Sequence, residues 1–206
     1  MPVEAPARPR CPRCERPLRD CLCRWITPVA NEVAVLILQH TLEVHQAKGS
    51  ARLLHLSLAR SRLQVGEVFD PSVLTEAGAP PRTPVLLYPP DPPGSAVPLL
   101  APAPLPPGLA PQQLLLVVLD ATWRKSRRLL FTHPWLQGLP RLSLQAPPPS
   151  RYGIRRAESA AQRSTLEATC LALHTLEAAS ERYTPLLQGF DGFVAQQAAW
   201  RPQSRS

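Results

Sequence analysis

Three runs of consecutive apolar residues stand out along the chain, and each predicts a strand. Residues 33–39 read VAVLILQ, residues 84–88 read PVLLY, and residues 113–119 read QLLLVVL. Each run is long enough for a buried strand and short for a helix. Pro89 and Pro90 stop the second run. Residues 141–144 predict a fourth, weaker strand. Helical spacing lies between and after these runs. Residues 46–60 carry Leu53, Leu54, Leu56 and Leu58, with Ser50 placed as a cap. The ATWRKSRRLL stretch after the third run predicts another helix. Residues 157–181 predict the longest one, with Leu166, Cys170, Leu173 and Leu176 on one face. Fully apolar strands alternating with helices predict an α/β domain with a mostly parallel sheet.

Composition bounds this picture. Ten of the 24 residues from 89 to 112 are Pro, which predicts a stiff, irregular connection. The 206 residues are 44% hydrophobic, enough to bury a sizeable core and to argue against wholesale disorder. No apolar stretch has the length of a membrane span, and the N-terminus lacks an apolar signal core. A cytoplasmic protein is expected, with no membrane partner and no obligate protein partner.

The charge is uneven. Nine basic residues (Arg124, Lys125, Arg127, Arg128, Arg141, Arg151, Arg155, Arg156 and Arg163) face one acid, Glu158, between 124 and 163. That excess of eight equals the formal net charge of the chain, +8, so the remainder averages near neutral. Eight of the nine are Arg, the better fork for phosphate oxygens. A concentrated basic field suits a polyanion, most simply nucleic acid. A solvated surface is the plainer alternative.

Four of the five cysteines cluster as C-P-R-C-x6-C-L-C: Cys11, Cys14, Cys21 and Cys23. A C-x2-C pair with a close second pair can place four thiolates around one tetrahedral zinc. Four thiolates leave no open position, so the metal would be structural. Disulfides are the alternative, without a secretion signal to support them. Residues 1–25 then read as a zinc-binding knuckle and 26–200 as the main domain. Cys170, within an apolar helical pattern, reads as core.

Candidate chemistry gathers where run 113–119 ends. Ligands of α/β sheets collect at the carboxyl ends of strands. Asp120 sits there, followed by Thr122 and Trp123. Asp120 can serve a ligand or cap the helix that follows. Arg124 shares a helical face with Arg127 and Arg128. Residues 150–156, SRYGIRR, join Arg151, Arg155 and Arg156 to Tyr152, which suits phosphate contact and base stacking. Ser164 and Glu167 match the S-x-x-E capping box. His40 and Glu43 follow run 33–39 and reach the level of Asp120 if the strands are parallel.

The succession CPRC…CLC, ILQH, LLYP, LDATWRKSRRLL…PWL, SRYGIRR and STLEA resembles the DTW-domain family, from about Cys11 to Gln197. The resemblance implies a tRNA-uridine aminocarboxypropyltransferase. Such an enzyme moves the 3-amino-3-carboxypropyl group of S-adenosylmethionine to N3 of a uridine in tRNA and releases methylthioadenosine. It also implies a SPOUT-like fold with a C-terminal trefoil knot at the cofactor site. Carried onto this chain, it places Asp120, Thr122, Trp123, Ser50, Ser164 and Glu167 at the cofactor. Leu144 and Gln145 would offer backbone groups to the adenosine. Tyr152, Arg155 and Arg156 would face RNA. Asp120 would bind the cofactor's ammonium or take the N3 proton. The chain departs from the family at Gly49, where Asn is usual, while Ser50 keeps a hydroxyl in place of Thr. An RNA methyltransferase using the same cofactor and a non-catalytic zinc-knuckle RNA-binding protein are the competing readings.

Overall fold

The structure, a computed structural model, describes residues 9–91, 95–144, 164–179 and 181–199. Its centre is one parallel five-stranded sheet. The strands are β1 (Ala34–His40), β2 (Ser61–Gly66), β3 (Thr83–Leu87), β4 (Leu114–Asp120) and β5 (Arg141–Leu142), in the order β2-β1-β4-β3-β5. The apolar runs become the three inner strands because both faces of the sheet are covered. Val35, Ile37, Leu116 and Val118 point to one apolar cluster, and Leu36, Leu38, Leu115 and Val117 to the other.

Helix α1 (Ala51–Ser57) joins β1 to β2 on the first face. Helices α4 (Thr165–Glu177) and α5 (Thr184–Ala199) pack there too, through Leu166, Cys170, Leu173, Leu186, Phe190 and Phe193. Helix α2 (Trp123–Thr132) and the short α3 (Pro134–Gln137) join β4 to β5 over the second face, with Leu129, Leu130 and Leu136. The chain thus leaves β1 toward one edge of the sheet and leaves β4 toward the other. A crevice opens at such a switch point, outside the carboxyl ends of β1 and β4.

Three expectations need correction. β2 was absent from the apolar reading: its SRLQVG sequence is half-exposed at the sheet edge and carries no apolar run. The longest described helix is α5, with 16 residues, whereas α4 has 13 and starts at Thr165 behind the Ser164 cap. The α5 segment was not singled out because Gly189 and Gly192 interrupt it. Both are needed where Trp25 docks: a Cβ on Gly192 would lie 2.1 Å from the Trp25 ring, and one on Gly189 2.7 Å from the Trp25 carbonyl oxygen. The proline-rich connection has no element in its described part until a single 3-10 turn at Pro111–Gln113. Asp91 anchors it, accepting from the Leu99 N–H at 2.6 Å and pairing with Arg127. No described helix is long and apolar enough to cross a membrane.

Candidate active site at the carboxyl edge of the sheet

Asp120 ends β4 beside Gln39 of β1, its partner in the parallel register. Alternation turns both side chains to the α1 and α4 face, the face of Ile37 and Val118. Asp120 is 7% exposed. Its Oδ2 accepts from Gln39 Nε2 at 2.8 Å and its Oδ1 from Thr165 Oγ1 at 2.5 Å. Donors from a strand and from a helix start therefore fix the plane of one buried carboxylate. The helix after it begins at Trp123 with Thr122 at the N-cap, so Asp120 does not occupy the cap position.

The start of α4 completes this side. Ser164 Oγ accepts from the Glu167 N–H at 3.1 Å, and Glu167 Oε2 accepts from the Ser164 N–H at 3.0 Å. This reciprocal box holds Thr165 toward Asp120. Ser50 does not cap α1 through its side chain. Its Oγ instead accepts from the Leu166 N–H at 3.3 Å, tying the start of α1 to the start of α4. Gly49 packs tightly: a Cβ there would stand 3.1 Å from the Gln46 carbonyl oxygen. An Asn at this position would push on that turn.

On the second face, Trp123 stacks on Tyr88 with ring centroids 5.3 Å apart and planes 9° from parallel. Tyr88 is buried, and its hydroxyl meets Ser126 Oγ at 3.3 Å. Trp123 remains 43% exposed, so it presents a flat surface backed by a rigid ring. The basic residues of α2 separate by role. Arg127 turns inward, pairing with Asp91 and donating to the Val97 carbonyl at 2.7 Å. Lys125 pairs with the buried Glu43 at 2.8 Å. Arg124 and Arg128 are exposed on one face. His40 Nδ1 accepts from the Leu42 N–H, closing the turn after β1. Leu144 packs against the first apolar cluster. Gln145, Arg151, Tyr152, Arg155 and Arg156 lie outside the described residues.

This succession of elements has a family behind it. The DTW domain profile matches residues 8–198. The chain belongs to the DTW-domain family. Among curated relatives, this DTW chain is 26% identical over 189 residues to tRNA-uridine aminocarboxypropyltransferase 2 of Macaca fascicularis. It is 27% identical over 189 residues to the protein of the same name from Mus musculus. Both matches cover 86% of the DTW chain and 60% of the relative, so the chain spans about 60% of the length of these relatives. No solved structure matches.

The N-terminal part of this DTW protein gathers its four cysteines. The Sγ atoms of Cys11, Cys14, Cys21 and Cys23 all lie within 4.8 Å of one another. Cys11 and Cys23 are 3.6 Å apart, Cys14 and Cys21 3.8 Å, and all are free thiols. Four sulfurs at about 2.3 Å from a tetrahedral centre stand about 3.8 Å from each other, so the donor set fits one zinc. Backbone N–H groups of Cys14 and Arg13 hold the Cys11 thiol down at about 6. Burial pushes the Cys21 and Cys23 thiols up. A cation among the sulfurs offsets that cost. The knuckle docks on α5: Trp25 Nε1 donates to Gln196 Oε1 at 2.5 Å, and Gln196 Nε2 to the Cys21 carbonyl at 3.3 Å.

Gln39, Thr165 and Tyr88 were missed as site residues. Gln39 had a signal, as the polar residue at the end of the apolar run 33–39. Thr165 had none locally, because its partner lies 45 positions away.

Proposed function

We propose that this protein transfers the 3-amino-3-carboxypropyl group of S-adenosylmethionine to N3 of a uridine in tRNA. One observation carries the reading: the Asp of a D-A-T-W sequence is buried at the β1/β4 switch point, its carboxylate oriented by Gln39 and Thr165. The names of the relatives supply the reaction class. The local residues suit the donor. A fixed carboxylate pairs with an ammonium, and the exposed ring of Trp123 offers a flat apolar surface at the same carboxyl edge, on the second face. The capping box of Ser164 and Glu167 and the bridge from Ser50 keep the α4 side of the pocket in register. Leu144 and Gln145 are assigned to the adenosine.

When bound, the donor would supply an electrophilic Cγ on a sulfonium: N3, its proton lost to solvent, would form the N3–Cγ bond as the Cγ–S pair passes to sulfur and methylthioadenosine leaves. Asp120 holds the ammonium end and so sets Cγ, rather than the methyl carbon, in line with N3. The same carboxylate taking the N3 proton is the alternative assignment. Arg124 and Arg128, with Arg151, Tyr152, Arg155 and Arg156, are assigned to the RNA. Arg127 is withdrawn from that set, because Asp91 and Val97 already hold it.

Two further assignments accompany this one. Cys11, Cys14, Cys21 and Cys23 bind one structural zinc. The fold is SPOUT-like with a C-terminal trefoil knot. Its support is that the described chain leaves beyond β5 at the sheet edge and returns at Ser164 beside β1 and β4.

The test is a product assay with purified protein, S-adenosylmethionine and unmodified tRNA. Methylthioadenosine is the expected product. S-adenosylhomocysteine would make the protein a methyltransferase, and tRNA binding without donor binding would make it a non-catalytic RNA-binding protein.

A further inference from the structure

Averaging the charge over the chain hides a second basic surface. Residues 9–25 carry Arg10, Arg13, Arg16, Arg19 and Arg24 against Glu15 and Asp20. All of these arginines except Arg16 are exposed. The excess disappears from the whole-chain balance because residues 26–123 and 164–206 are together acidic by three.

This surface closes a crevice. A cavity of about 80 Å³ lies between the knuckle and the carboxyl ends of β1 and β2, on the α1 face of the sheet. That is several times the space one water needs. Arg10, Arg16, Arg52 and His45 line it, and so does Gln39, whose amide donates to Asp120. The protein itself orients the cations. Arg10 donates to the Glu15 carbonyl at 3.0 Å, and Arg52 donates to the Cys14 carbonyl at 3.4 Å and pairs with the Glu15 carboxylate. A guanidinium has five N–H donors, so these contacts leave Arg10 and Arg52 with donors for an oxyanion. Arg124 and Arg128 stand on α2, over the opposite face of the sheet. Asp120 lies between the two basic groups.

We infer that a single RNA strand straddles the carboxyl edge of the sheet, one phosphodiester against Arg124 and Arg128 and another in the knuckle crevice against Arg10 and Arg52. The inference rests on the RNA-modifying reading above. It makes the knuckle a wall of the substrate site. Arginine on both flanks suits a polyanion, and a strand held on both sides of the edge can present an unstacked nucleotide to Asp120.

The test uses the full chain and an unmodified tRNA transcript, with binding measured over a range of salt concentrations. Arg10→Gln with Arg52→Gln should weaken binding about tenfold and lower the steepness of log K against log salt by about 0.7, as for one single-strand phosphate contact. Metal content and S-adenosylmethionine affinity should stay at the wild-type level. Glu15→Gln removes an exposed carboxylate from the crevice rim and should tighten binding. Wild-type affinity and slope in the double variant overturn the inference. If the double variant loses metal or melts early, Glu15→Gln decides, and failure to tighten overturns it. Wild-type protein that releases no methylthioadenosine would sink the transferase reading alone, since the salt slopes still report where RNA lies.

Discussion

The knuckle and the carboxyl edge of the sheet fix polar groups by different means. From Cys11 to Cys23 the backbone forms only short turns, Leu18–Asp20 among them, and four sulfurs are the groups that converge. At the carboxyl edge, Asp120 and Gln39 lie at or next to the ends of seven-residue strands that have a neighbouring strand on each side. One region brings its polar groups together through turns and converging side chains, whereas the other is prearranged by the sheet. The difference separates a region that a bound metal would stabilise from one whose geometry the sheet already sets.

Removing metal should break the comparison most visibly. Where a small metal site is the folding nucleus, binding free energy is folding free energy. Exhaustive chelation, or Cys14→Ala, should lower Tm by at least about 10 °C and free Trp25 from α5, read by calorimetry and tryptophan fluorescence. Metal analysis should give about one equivalent of zinc before chelation. An unchanged Tm in verified metal-free protein would show that packing alone holds the knuckle.

Asp120→Asn should do the reverse. The change is nearly isosteric, so Tm should move little. Loss of the negative charge should reduce turnover at least tenfold, about 1.4 kcal/mol in barrier. A parallel fall in donor affinity assigns Asp120 to the ammonium, and unchanged donor affinity assigns it to the N3 proton. Near-normal turnover would leave Asp120 a structural link between β1 and α4.

The smallest effect concerns His55 on α1, the helix that lies between the two regions. Its Nδ1 meets Ser61 Oγ at 2.9 Å, and burial, then the Arg52 charge, holds its pKa below the ordinary 6.5. The unfolded chain therefore takes up the proton first. Its contribution is fully present above about pH 6.5 and is lost as pH falls through the folded value. Tm should decline by a few degrees over that window, and His55→Gln should flatten the decline. An equal decline in the variant would assign it to other groups.

What could be read from the sequence follows the range of the interactions. β1, β3 and β4 were legible because strands covered on both faces need continuous apolar runs. The cysteine spacing was legible because its pairings are local. β2 was not, since an edge strand tolerates Ser61, Arg62 and Gln64. Ser50 read as the cap of its own helix, yet its oxygen serves Leu166, 116 positions away. Thr165 and Gln39 gain their meaning from Asp120, which the sheet register brings to Gln39 and the packing of α4 brings to Thr165.

Trp25 and Gln196 stand 171 positions apart in a chain of 206. A ribosome releases the knuckle well before α5. The four cysteines are all made before β1 begins, but the clasp on α5 waits until α5 itself has been made. Contacts of such long sequence separation make for slow final assembly. A nascent chain would therefore hold an undocked knuckle, and its crevice would not be walled until α5 had closed over Trp25.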